Sequence, residues 1–336
     1  MEAIKLISPL HLNIIGMTSF HPLLVGIHPR SERLIKTFRA YSRKKIDLDE
    51  LNEVLEKESG ELIRLQLDLN YRYVTDGMLR WHDLLRPLAE KLDGVEVDGL
   101  SRWFDNNLFY KKPVIVGEVK RADKILKEYI YPSEIPDRRF KLILPDPFTF
   151  TSLSELGKRR FDEVLFEVSK AMNEEIMEME AEVGLGQVQL SAPSLVWRRL
   201  DEDSLELARD AIDECLKGVS AERMIHLPFG DALNSFPQIL DARVNVIGFD
   251  MTATKLKELR EYSIDRGVGL GFVDGRNSLI EDVGLVKGKV EEYLEANEPE
   301  TIYITPSCDL EFLPRNVADE KVRLLKRIVD ELEEVE

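Results

Sequence analysis

One recurrence constrains this chain more than anything else in it. Short apolar runs of four to six residues, each stopping on or beside a polar residue, alternate with longer stretches of helical period. The runs are Leu23–Ile27, Tyr71–Thr75, Lys141–Leu144, Gln187–Leu190, Met224–Leu227, Val244–Phe249, Gly269–Val273 and Thr301–Thr305. Between or after most of them lie amphipathic stretches, at Ser152–Met179, Asp203–Leu216, Leu256–Arg266, Glu281–Ala296 and Val317–Leu332. Strands that alternate with helices pair in parallel, and eight such units predict an α/β chain of the (β/α)8 TIM-barrel type. The polar residues ending the strands then collect on one rim, the face that carries chemistry in such barrels.

The segment 95–136 departs from the pattern. Trp103-Phe104-Asp105, Pro113 to Gly117 and Tyr129 to Pro132 read as a hairpin or loop inserted after the second βα unit. Decorated loops of that length shape a binding mouth or an interface. No repeat, low-complexity tract or Pro/Gly linker divides the chain, so residues 1–336 are expected to form a single barrel domain.

Composition excludes several classes of function. A net charge of −17 disfavours nucleic acid and anionic membranes, both of which are gripped by clustered Lys and Arg. The two cysteines, Cys215 and Cys308, build no disulfide framework and fit a reducing compartment. No apolar run approaches the 18 or so residues that cross a bilayer, and the start shows no secretory pattern. The expected setting is the cytoplasm, with small molecules as substrates.

Under this strand assignment the rim presents Arg30, Asp76, Asp146, Ser191, His226 with Asp231, Asp250, Asp274 with Arg276, and Cys308. Asp146, Ser191 and Asp274 equally suit helix capping or loop bracing. Asp231 and Asp274 are the candidate catalytic carboxylates. His226, Asp250 and Cys308 have the donor types of a three-ligand catalytic zinc site, which would turn a substrate thiol into a thiolate. The competing reading makes them a mouth histidine, a helix cap near Thr252 and a small buried hydrophobe.

Several stretches, SRWFDNNLFYKKP, LPDPFTFTSLSELGK, PFGDALNSFPQIL, VIGFDMT, GLGFVDGRNSL and ITPSCDLEFLPRNV, resemble the cobalamin-independent methionine synthase family, and its N-terminal barrel in particular. The resemblance runs from about Arg30 to Arg327. It implies methyl transfer from a methylated folate polyglutamate to homocysteine. In the catalytic barrel of that family zinc is held by a His-x-Cys pair, a Glu and a final Cys. His226 and Cys308 match the first and last of these, Asp250 falls on the Glu, and Pro228 stands where the paired Cys belongs. Ser191-Ala192-Pro193 replaces an Asp-Glu-Pro whose Asp helps hold the homocysteine amino group. Arg33 and Lys36 on the first helix, and Arg102 before Trp103, keep cations where the N-terminal barrel grips the folate tail.

Three readings follow from this resemblance. The chain supports a separate catalytic barrel and contributes folate-tail contacts, with zinc on the partner. Alternatively it is a self-sufficient single-barrel zinc methyltransferase, whose methyl donor could be a corrinoid. The third reading is a structural protein with a decayed mouth.

Overall fold

The computed structural model describes residues 18–334. In chain order, β1 (Ser19–Pro22) leads through α1 (Glu32–Ser42), α2 (Leu48–Asp68) and the short α3 (Arg86–Lys91) to an antiparallel pair, β2 (Leu92–Arg102) with β3 (Phe109–Arg121). There follow β4 (Phe140–Pro145), α4 (Pro147–Ser152), α5 (Phe161–Val183), β5 (Leu185–Ser191), α6 (Ser194–Trp197), α7 (Glu202–Cys215) and β6 (Glu222–Leu227). The chain ends with β7 (Val246–Asp250), α8 (Leu256–Leu259), β8 (Gly267–Val273), α9 (Val283–Leu294), β9 (Thr301–Pro306) and α10 (Arg315–Glu333). Among the described residues no helix is long and apolar enough to cross a membrane.

Seven strands form one parallel sheet in the order β1-β9-β8-β7-β6-β5-β4. The sheet curls, because Leu23, Val25, Tyr73, Met224, Val246 and Tyr303, from both of its ends and its middle, meet in one buried cluster. This is a TIM-like curl with helices outside. α10 shows how the outer layer forms: Ala318, Val322, Leu325, Val329 and Leu332 recur at helical spacing and are all buried.

Among the described residues seven strands were found where eight were expected, and one side chain accounts for the missing strand. Tyr71–Thr75 shrinks to a single parallel bridge, Val74 to Phe140. The Gln66 amide occupies the next rung, taking the Thr75 amide at 3.0 Å and donating to the Thr75 carbonyl at 2.8 Å. The first strand covers Ser19–Pro22 and not Leu23–Ile27. Beyond Leu23, whose amide still bonds the Ile304 carbonyl, the backbone bonds leave the ladder: Gln189 Nε2 reaches the Val25 carbonyl and Asp309 Oδ1 takes the Ile27 amide.

The helix expected over Ser152–Met179 is broken between α4 and α5. There Glu155 turns to β3, donating its amide to the Pro113 carbonyl and accepting from the Ile115 amide. The one expected at Leu256–Arg266 stops after Leu259, and Arg266 instead bonds the Ala242 and Val244 carbonyls on the way into β8.

The interior of the curl is unusually polar. Lys141 is 1% exposed, and its nearest partner is Met224 Sδ at 3.7 Å. Nearby, Glu222 accepts from the Tyr303 hydroxyl at 2.7 Å and Gln187 Nε2 at 2.6 Å.

Candidate functional site

The strand ends place His226, Asp250 and Cys308 on one rim, all buried. Asp250 is committed to its own loop and to the one after β6. Its Oδ1 accepts from the Thr252 amide and hydroxyl, and its Oδ2 takes the Phe229 amide at 3.1 Å. Burial raises its pKa, offset by those bonds and by Arg276. Both ring nitrogens of His226 are without a partner among the described residues, and burial beside Lys141 pushes its pKa down to about 3. Burial also holds the Cys308 thiol well above its ordinary range, and Asp309 and Asp250 add to the effect.

Aromatic side chains lie over this part of the rim. Phe104, in the turn between β2 and β3, packs 5.5 Å from Trp197 and 6.0 Å from Phe229, whose ring is 5.8 Å from Phe312. Arg276 sits 5.8 Å over the Phe229 ring. Residues following β5, β6 and β9 are thereby tied to the β2–β3 turn.

The open space is elsewhere on the same rim, in the loops after β1 and β9. A cavity of about 630 Å³ is lined by His28, Arg30, Trp81, His82, Glu311, Arg315 and Asp319 among others. A smaller pocket of about 30 Å³ adjoins it, shares Ile27, His82 and Glu311, and adds Asp83, Trp103, Phe109 and Asp309. A separate hollow of about 570 Å³ beside Tyr41 and Asp47 lies at the α1–α2 turn and contains none of these groups.

The cavity holds paired charges of both signs. Asp309 is buried against the loop after β1, where a Cβ on Gly26 would land on its Oδ1, so a side chain at position 26 would displace that carboxylate. Glu311 has no hydrogen-bond partner among the described residues, and burial, reinforced by Asp309, raises its pKa well above the ordinary carboxylate range. Burial likewise raises Asp309. Burial, then Arg30 and Arg86, push His82 down to about 4. Arg30 is fixed by the Leu79 and Trp81 carbonyls and lies 4.3 Å over the Phe38 ring.

The remaining candidates have varied placements. Asp231 and Asp274 brace their own turns, accepting from the Leu233 and Arg276 amides, and Asp146 caps α4 through the Phe148 and Thr149 amides. Ser191 is buried beside His226 in the β5–β6 register. Trp103 is buried in the small pocket, while Arg33, Lys36 and Arg102 are exposed, Lys36 lying 3.4 Å from Glu32. Asp309, Glu311 and His28 escaped notice in the sequence because each is polar in a loop. The one hint was the density of carboxylates in Cys308-Asp309-Leu310-Glu311.

Residues 21–331 match the family model described as the catalytic domain of cobalamin-independent synthase. This chain belongs to the cobalamin-independent methionine synthase family. Curated relatives named methionine synthase include one from Sulfolobus acidocaldarius, 27% identical over 89% of this chain and 88% of its own length. Another, from Saccharolobus solfataricus, is 26% identical over 89% and 90%. A B12-independent methionine synthase from Shewanella sp. W3-18-1, solved with selenomethionine, superposes with a TM-score of 0.76 at 17% identity, covering 94% of this chain and 98% of that one. A methyltransferase from Methanosarcina mazei gives 0.64 at 12%, covering 96% and 98%. At these identities the solved structures speak for the fold alone.

Two expectations change with these matches. The family model matched is that of the catalytic half, whereas the motifs pointed to the N-terminal barrel. The curated relatives are chains of about this length, so a separate catalytic barrel as partner finds no support. The zinc that the family implies does not fit the residues present. Among the described residues no group of three His, Cys, Asp or Glu side chains could hold a metal ion, so His226, Asp250 and Cys308 do not assemble into a ligand set. The Asp250 oxygens are engaged with Thr252 and Phe229, and Pro228 supplies no donor.

Proposed function

We propose that this chain acts on its own as an S-methyltransferase whose acceptor is the thiol of homocysteine or a close amino-acid relative, bound in the cavity between the loops after β1 and β9. The observation that carries this reading is that Glu311, Arg30 and Arg315 line one open cavity on the rim of a family member. An amino-acid zwitterion needs a carboxylate for its ammonium and a cation for its carboxylate, and this cavity lines up both. Binding the ammonium would draw the proton off Glu311, since an adjacent positive charge favours the ionised carboxylate.

A methylated folate with its glutamate tail is the donor in this reading. The exposed cations Arg33, Lys36 and Arg102 are the residues proposed to meet the tail, as point charges on an otherwise acidic surface.

Calorimetric titration with L-homocysteine tests the acceptor site. Glu311→Gln keeps the shape of the side chain and removes the charge, so binding is expected to weaken by about 2 kcal/mol or more, about thirty-fold in Kd. Unchanged affinity in that variant would place the amino group elsewhere.

A further inference from the structure

His28 follows β1, is 1% exposed, and lines the same cavity. Its Nε2 is 2.8 Å from Asp319 Oδ1 on α10. A carboxylate only accepts, so Nε2 carries the hydrogen and Nδ1 is left as a bare lone pair. That Nδ1 has no partner among the described residues. Buried polar atoms are rarely left so, and one on a residue that lines a cavity points to a group arriving from the cavity.

The ring is held from behind by a chain of fixed groups. Asp319 also accepts from Arg315 Nε at 2.9 Å, Arg315 faces Glu58 at 3.6 Å, and Glu58 accepts from the Ser31 hydroxyl at 2.5 Å. Burial alone would raise Asp319, but the bonds from His28 and Arg315 hold it below the ordinary carboxylate range, so it stays ionised behind the imidazole. An imidazole oriented by a carboxylate, with its other nitrogen free, is the arrangement of a positioned proton acceptor.

We infer that His28 Nδ1 takes the proton of the substrate thiol. The S–H bond breaks, an N–H bond forms at Nδ1, and the neutral pair becomes a thiolate and an imidazolium stabilised by Asp319. This rests on the reading of the cavity as a homocysteine site. It supplies, from a histidine that lines the cavity, the thiolate that His226, Asp250 and Cys308 are not placed to generate.

The test uses the full chain and L-homocysteine, following the ultraviolet absorbance of the thiolate at neutral pH alongside calorimetric binding. Wild type is expected to bind homocysteine as thiolate. His28→Gln and Asp319→Asn are expected to retain binding while the thiolate signal falls about ten-fold or more. Histidine ring resonances of the unmutated protein give an independent reading, with one imidazole expected to protonate on adding homocysteine but not methionine, which has no thiol. Bound homocysteine that stays a thiol, or a thiolate signal intact in His28→Gln, would overturn the assignment and leave the binding site standing. Absence of any homocysteine binding would remove the functional reading and this inference together.

Discussion

Lys141→Met is expected to stabilise the protein, most strongly on the acid side of neutrality. The Lys141 amine is buried in the curl with a thioether as its nearest partner, and burial lowers its pKa far below that of a free lysine, with Glu222 offsetting only part of this. Methionine fills nearly the same volume without a charge to desolvate, and replacing buried ionisable groups by apolar ones commonly gains about 1 to 4 kcal/mol. The pH dependence fixes the sign. The unfolded amine holds its proton up to about pH 10.4, whereas the folded amine releases it earlier, so between those points the unfolded state binds more protons. Wild-type stability therefore rises with pH through that window and is lost as pH falls, and the variant lacks this contribution. Urea denaturation of both proteins at several pH values is expected to show the largest advantage for Lys141→Met at the acid end, narrowing towards alkali. A variant less stable at every pH would show that the amine is paired in solution.

Gly271→Ala is expected to be as damaging as Lys141→Met is helpful. Gly271 lies in β8 opposite Asp250, and a Cβ there would come 2.5 Å from the Phe249 carbonyl oxygen, 2.9 Å from Ser307 Cα and 3.0 Å from the Pro306 carbonyl oxygen. All three are backbone atoms, and those of Ser307 and Pro306 belong to the end of β9, so no rotamer change relieves the contact. Overpacking of this kind costs about 1 to 3 kcal/mol, sometimes more. The expected result is a lower urea midpoint with the slope unchanged, together with weaker homocysteine binding, because the end of β9 leads into Asp309 and Glu311. A midpoint within error of wild type would mean that β7 and β9 part easily at the rim.

The strands of the sheet could be read from the sequence wherever a ladder forms on both sides, as in Gln187–Leu190 or Thr301–Thr305, because the apolar run and the paired segment then coincide. They were misplaced where a distant side chain replaces a strand, as Gln66 does at Thr75, since that substitution depends on tertiary placement. The site shows the same division. Residue types at the strand ends identified the rim, but the sequence gives no sign that Phe104 and Phe229 pack over one part of it. Nor could it show that Glu311, from beyond β9, lines one cavity with His28, from beyond β1, because that juxtaposition spans nearly the whole chain.

The most direct measurement is a crystal structure of the full chain with bound L-homocysteine. The ligand is expected between the loops after β1 and β9, its ammonium at Glu311 and its sulfur at His28 Nδ1. Homocysteine found instead beneath Phe229, with its sulfur among His226, Asp250 and Cys308, would contradict this account of where the chain works.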